Sequence, residues 1–408
     1  MEEYNRIKIQ HICSNICSGG TPKSTIAEYY GGNIPWLNTK EINFCRIYGT
    51  EKTITDKGLN NSSAKWIPTD SVIVAMYGAT AGKTAIAKIP LTTNQACCNL
   101  TIDSAKADYR FVYYALCNDY AYLASLANGG AQQNLNAQQI KEFEIPFPSL
   151  EEQKRIADIL SSLDSKIELN RRINDNLEQQ AQALFKSWFV DFEPFKDGKF
   201  VESELGMIPK GWRVGTLNEI GNVVGGGTPS KSKPEYYCSD GIAWITPKDL
   251  SILKAKFIFN GEIDITELGY KNSSAKIMPK GSILFSSRAP IGYIAIAQND
   301  ITTNQGFKSV IPKKAGTAFI YLYLKENVDN IESQATGSTF KEASGSLMKA
   351  QKVVIPSGHI YDDFENLLQP IFKKQANLEI ECRNLSTIRN TLLPKLMSGK
   401  LKINNLTR

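Results

Sequence analysis

The chain repeats itself, and this limits the folds open to it more than any other property. The segment GGTPKSTIAEYYGGNIPWLNTKEI at residues 19–42 returns as GGTPSKSKPEYYCSDGIAWITPKDL at 226–250. Thr21 corresponds to Thr228 (228 − 21 = 207) and Trp36 to Trp244 (244 − 36 = 208), with one residue inserted between them. NSSAK occurs at 61–65 and 272–276, and TTNQ at 92–95 and 302–305. Matches in one order at a nearly constant offset imply two copies of one globular domain.

Each copy alternates short β-rich runs such as SVIVAMY and SILFSS with Gly, Pro, Asn and Ser turns. A helical passage follows, DYRFVYYALCNDYAYLASL in one copy and FIYLYLKENVDNIESQ in the other. The pattern predicts α+β domains, mixed and mostly β. After each copy the sequence turns rich in Glu, Gln, Lys, Leu and Ala, as in SLEEQKRIADILSSLDSKIELNRRINDNLEQQAQALF, where Ser149 and Glu152 have the spacing of a capping box. Stepping by four and three gives a seam of Ile156, Leu160, Leu163, Ile167, Asn170, Asn174, Leu177, Ala181 and Leu184. In the final segment the same steps give Phe364, Leu368, Ile371, Gln375, Leu378, Cys382, Leu385, Arg389 and Leu392. Two in-phase helices of this kind predict an antiparallel coiled coil, with buried Asn fixing register. A helix of about 35 residues spans about 50 Å and would act as a rigid spacer under internal pseudo-twofold symmetry. The expected organisation is a first domain at 1–148, a long helix at 149–190, a joint at 191–211, a second domain at 212–357, and a second helix with its tail at 358–408.

Composition narrows the functional classes. The 408 residues are 42% hydrophobic and 22% charged, which is ordinary for a globular protein. No run reaches the roughly 18 apolar residues of a membrane span, so the expected location is the cytoplasm, with no membrane partner. Eight scattered cysteines form no disulfide framework and are expected to be reduced and buried. His11, Cys13 and Cys17 lack the further ligands of a zinc site, so no metal is expected. His11 and His359 are the only histidines, which leaves few candidates for nucleophilic catalysis. A net charge of +6 is compatible with a nucleic-acid partner.

Four strings carry a resemblance to a known family: EEQKRIADILSSLDSKIELN (151–170), LFKSWFVDFEPF (184–195), LGMIPKGWRVGTLNEI (205–220) and TLLPKLMSGKLKI (391–403). The chain resembles the specificity subunits of type I restriction–modification systems over essentially its full length. The resemblance implies two target recognition domains, each reading one half of a two-part sequence in double-stranded DNA. It implies paired helices that set the spacing and dock two methyltransferase subunits, with restriction and translocase subunits joining them. It also implies a chain without catalysis or cofactor of its own; S-adenosylmethionine, ATP and magnesium would serve the partner subunits. Because the copies diverge, the target should be asymmetric.

Catalytic motifs are correspondingly weak. The nearest string to an adenine methyltransferase loop is Asn33-Ile34-Pro35-Trp36, and its counterpart Gly241-Ile242-Ala243-Trp244 keeps only the Trp. Asp191, Glu193 and Lys196 approach a nuclease set but fall within the family's helix-to-domain joint.

DNA contacts are expected in loops common to both copies, with Lys and Arg on phosphates and polar side chains on base edges. Thr21 and Lys23, with Thr228 and Ser230, follow a Gly run that could let backbone approach a phosphate. Asn38 and Lys40 match Thr246 and Lys248. Gln132, Gln133 and Asn134 vary against Ser338, Thr339 and Lys341. The repeated Asn94-Gln95 and Asn304-Gln305 lean towards structure, because readers of different half-sites should differ.

The last loop, GATAGKT at 78–84, resembles a phosphate-binding loop but is one residue too short for G-x-x-x-x-G-K-[ST]. Aligned by Ala79 with Ala289 and Gly82 with Gly292, Lys83 becomes Tyr293, and Tyr77 or Gly78 faces Arg288, next to Ser287. Arg288 is the foremost candidate for direct readout, because Arg is the commonest reader of guanine. The sequence leaves two alternatives open: a P-loop NTPase using Lys83, and a stand-alone DNA-binding regulator or inhibitor of a restriction complex.

Overall fold

A computed structural model describes residues 4–127, 134–337 and 341–402, and in it both copies adopt one α+β topology. In the first copy a five-stranded sheet has the order Cys13–Ser18, Cys97–Ile102, Val72–Ala75, Thr84–Ala87, Cys45–Ile47, with the last strand parallel to its neighbour. The second copy repeats this as Gly221–Gly225, Lys308–Pro312, Ile283–Ser287, Ile291–Ala297, Phe257–Ile258, again with a parallel last strand. A four-stranded sheet accompanies each: Lys52–Ile54, Tyr30–Leu37, Leu91–Thr93, Trp66–Ile67 in one, and Tyr237–Cys238, Ile263–Ile265, Ile242–Ile245, Thr302–Thr303 in the other.

The strand Val72–Ala75 is apolar throughout because it is covered on both faces. Alternate residues point to opposite sides: Val72 and Val74 pack with Phe111 and Val112 of helix Tyr109–Asn118, while Ile73 and Ala75 pack with Leu37, Ile47 and Leu91. That helix starts where the Asp108 carboxylate accepts the Arg110 and Phe111 N–H groups, at 2.8 and 3.3 Å. None of the eight cysteines forms a disulfide; Cys97 and Cys98 are buried, and the other six are only partly so.

The long helices are Leu150–Phe189 and Ile360–Met397. Ser149 Oγ accepts the Glu152 N–H at 3.3 Å, as its capping position requires. Ile156, Leu160, Ile167, Asn170, Ala181, Phe364, Leu368, Gln375 and Leu378 are buried, and the remaining seam residues are partly buried. Ile156 and Leu160 also join the core around Phe111, and Phe364 and Leu368 the core around Phe319, so each helix begins as part of its own domain. The pairing is antiparallel. Asn170 Nδ2 donates to Glu381 Oε2 at 2.9 Å, Gln375 Nε2 donates to the Asn174 carbonyl at 3.3 Å, and Arg389 meets Asp164 at 2.6 Å. The chain divides into two compact units, residues 1–168 with 384–408, and residues 169–383, so each unit holds part of both helices.

Each unit seats its domain on the helices through different polar chemistry. In the second, Lys256 Nζ lies 2.8 Å from Glu178 Oε2 and 2.8 Å from Gln375 Oε1, over the Phe372 ring at 3.5 Å. Lys325 and the Tyr321 hydroxyl also reach Glu178, at 2.6 and 3.1 Å. Burial opposes ionisation of Glu178, but Lys256 and Lys325 outweigh it and hold the carboxyl down to about 2. Burial also pushes Lys256 down, to about 8, against the pull of Glu178. In the first unit Arg46 instead bonds Glu168, Ser165 and the Ser161 carbonyl, and Tyr114 bonds Asp164 at 2.6 Å.

Candidate nucleic-acid interface

The three repeated motifs form one structural assembly in each unit. Gly19 and Gly20 pass so close to TTNQ and NSSAK that an added Cβ would sit 2.2 Å from the Asn94 carbonyl and 2.1 Å from the Ala64 nitrogen. Gly226 and Gly227 make the same approach, at 2.0 Å from the Asn304 carbonyl and 2.4 Å from the Ala275 nitrogen. The glycines therefore admit protein backbone, which corrects the expectation that they clear a path for phosphate. Trp36 Nε1 donates to the Gly20 carbonyl at 2.9 Å and the Tyr30 hydroxyl to the Pro22 carbonyl at 2.7 Å. Trp244 and Tyr237 do the same for Gly227 and Pro229, at 3.0 and 2.6 Å. The Tyr and Trp rings meet edge to face, with centroids 5.9 and 5.8 Å apart. Asn33–Trp36 thus lies within a strand and is no methyltransferase loop.

Several predicted contacts turn out to hold this frame. Thr21 donates to Gln95 Oε1 and Thr228 to Gln305 Oε1. Asn38 caps the turn Thr39–Glu41 and Thr246 caps helix Pro247–Leu253. Asn94 and Asn304 each accept a backbone N–H two residues on, at 3.2 and 2.9 Å. Ser287 donates its hydroxyl to the Gly306 carbonyl at 3.1 Å and is fully buried, so it is out of reach of a base. Tyr293 packs against the core around Leu250.

Other candidates reach the surface around the frame. Lys23, Ser230, Lys341, Tyr77 and Asn134 are exposed. Lys40 pairs with Glu51 at 2.5 Å and Lys248 with Glu262 at 2.6 Å, and in both the carboxylate hydrogen bond raises the ammonium pKa. In the second unit Thr228, Lys231, Trp244, Lys248, Glu262 and Gln305 line a cleft of about 730 Å³. Gln132, Gln133, Ser338 and Thr339 lie outside the described residues.

The turn after Val72–Ala75 continues the same edge. Met76 N–H donates to the Ala96 carbonyl at 2.8 Å, and Ser287 N–H to the Gly306 carbonyl at 2.7 Å, which makes Met76 and Ser287 equivalent. Tyr77 therefore matches Arg288. Gly78, not Ala79, matches Ala289, and both are left-handed at φ 69° and 51°. The lost residue falls within the turn, where sequence identity alone misplaces it. Arg288 faces Glu342 at 3.6 Å. Glu342 and Lys231 escaped the sequence reading, although Glu342 stands at the same offset from Asn134 as the repeated tryptophans from each other. Lys83 Nζ donates to Asn43 Oδ1 at 2.9 Å, and Thr84–Ala87 is a strand. A phosphate loop needs a helix N-terminus at that point, so the nucleotide reading of GATAGKT fails on geometry.

Residues 1–179 and 209–381 match the family model described as the type I restriction modification DNA specificity domain. The chain belongs to this specificity-subunit family. The MjaIX specificity subunit of Methanocaldococcus jannaschii is 32% identical over 427 residues, covering 99% of this chain and 95% of its own. The HindI specificity subunit of Haemophilus influenzae is 28% identical, covering 69% and 74%. The crystal structure of a type I S subunit from M. genitalium shares the fold, with a TM-score of 0.59 at 20% identity over 97% of this chain and 96% of its own. Each block that matches the specificity-domain family takes in one copy of the frame and runs on into a long helix, so the repeating unit is the domain together with its helix.

Proposed function

We propose that this chain is the DNA-recognition subunit of a type I restriction–modification complex, in which each unit reads one half of an asymmetric two-part target. One observation carries this reading: two domains of the same topology present the same buttressed edge, with different side chains displayed on it. Two rigid copies of one frame suit two half-sites, as dimeric readers suit palindromes. Lys23, Lys40 and Lys248 supply phosphate contacts, with Glu51 and Glu262 releasing their lysines as phosphate replaces them. The helix pair fixes the spacer and docks two methyltransferase subunits in the cytoplasm. Those partners, with restriction and translocase subunits, bring S-adenosylmethionine, ATP and magnesium. The chain itself positions and does not catalyse. In the joint, Glu193 pairs with Lys196 at 2.5 Å and Asp191 with Lys186 at 3.6 Å, so the acids there hold the turn.

The test is the methylated motif in DNA from cells expressing the chain with its partner subunits. Two short blocks separated by a fixed unread spacer are expected. A single uninterrupted motif, or DNA binding without methylation in the assembled complex, would refute the reading in favour of a stand-alone regulator.

A further inference from the structure

The two units fill one backbone frame with different side chains at a single place. Leu135 N–H donates to the Met76 carbonyl at 2.8 Å, and Ala343 N–H to the Ser287 carbonyl at 2.9 Å. These bonds set Asn134 opposite Tyr77, where an isolated bridge joins them, and Glu342 opposite Arg288. The left-handed residue that follows is common to both. The bonds that build the site are kept, and the two side chains displayed on it are both replaced.

Both members of the second pair are accessible, with side-chain exposures of 39% for Arg288 and 37% for Glu342. Lys308, exposed at only 18%, holds Glu342 from below at 3.1 Å. An acid on a DNA-facing edge repels phosphates. Here its charge is met by two cations, and its approach to Arg288 is through Nη1 alone, the one ion pair of the guanidinium among the described residues. Arg grips guanine through O6 and N7, Asn grips adenine through N6 and N7, and both need an orientation fixed in advance.

Resting on the recognition reading above, we infer that this paired position specifies one base pair in each half-site. Arg288, oriented by Glu342, reads a guanine in the half-site of the second unit. Asn134, beside Tyr77, reads an adenine in the half-site of the first. Arg288 is the contact residue of its pair and Glu342 a positioning residue.

The assembled complex tests this through the methylated motifs of the wild type, Arg288→Ala, Arg288→Lys, Glu342→Gln and Asn134→Ala. Arg288→Ala should reduce discrimination at one guanine by roughly ten- to a hundredfold and leave the other half-site intact. Arg288→Lys keeps the charge and loses the fork, so it should relax the same guanine. Glu342→Gln should relax that position too; a role confined to the turn would lower the melting temperature with the motif unchanged. Asn134→Ala should relax an adenine in the other half-site. Unchanged motifs would overturn the inference, and so would uniform weakening with a salt slope reduced by about 1, the mark of a phosphate contact. A wild-type complex that yields no two-part motif refutes the recognition reading itself. A two-part motif untouched by these substitutions refutes only the pairing.

Discussion

Glu178→Gln removes the acid on which the second unit's domain is seated. Glu178 receives Lys256, Lys325, the Tyr321 hydroxyl and Gln375 at 2.8, 2.6, 3.1 and 3.2 Å. Glutamine keeps the shape but leaves the Lys256 ammonium, 8% exposed, beside a neutral group. Breaking a buried pair by deleting one partner costs about 3–5 kcal/mol. The carboxyl is held at about 2 against an ordinary 4.5, which at about 1.4 kcal/mol per unit is about 3–4 kcal/mol. Glu379, whose carboxylate accepts the Lys256 and Phe257 N–H groups, still faces the ammonium, so the lower end applies. Hydrogen exchange of helix Thr317–Glu326 at pH 7 should accelerate about a hundredfold. Because the folded pKa is depressed, the contribution is complete above about 4.5 and fades as pH falls towards 2. The gap in urea midpoint between wild type and variant should narrow over that range. Adding Lys256→Met should recover much of the loss, since a buried pair replaced by apolar groups is near neutral. Exchange within threefold of wild type, or a double variant as unstable as the sum of the singles, would show that the node does not carry the seat.

Gly20→Ala and Gly227→Ala should each unfold their own domain, because the new Cβ meets backbone that cannot retreat; unchanged melting profiles would contradict the wedge geometry. Asn99 Nδ2 donates to Thr93 Oγ1 at 2.8 Å, whereas the equivalent Ser309 and Thr303 hydroxyls are buried without a partner among the described residues. Ser309→Asn would give Thr303 a partner but import an amide oxygen that in Asn99 is itself buried without a partner among the described residues. The stability of the second unit in urea unfolding should therefore stay within about 1 kcal/mol of wild type, and a larger fall would mean the longer side chain has no room. Lys40→Ala and Lys248→Ala should weaken all DNA sequences alike and lower the salt slope by about 1 each, measured by binding across a salt series.

The repeat and its offset were enough to give two α+β domains, two long helices and their heptad phase, because periodicity and turn chemistry are local properties. They also identified GGTP, NSSAK and TTNQ as belonging together. What these motifs do was not legible. A Gly pair reads equally well as a path for phosphate or as room for neighbouring backbone, and only the Asn94 carbonyl and Ala64 nitrogen at its flanks decide. Thr21, Thr228 and Ser287 look like free hydroxyls in sequence, and each is committed to a partner brought in by a turn elsewhere in the chain. The match of Tyr77 with Arg288 had to come from hydrogen bonds, since a one-residue deletion inside a turn leaves no mark on composition. Glu342 became a neighbour of Arg288 through a strand-edge contact spanning more than fifty residues of chain. Sequence alone determined which elements form and that they form twice. Tertiary structure decided which polar groups are already satisfied and which stay accessible, because satisfaction depends on distances between segments that the chain order does not contain.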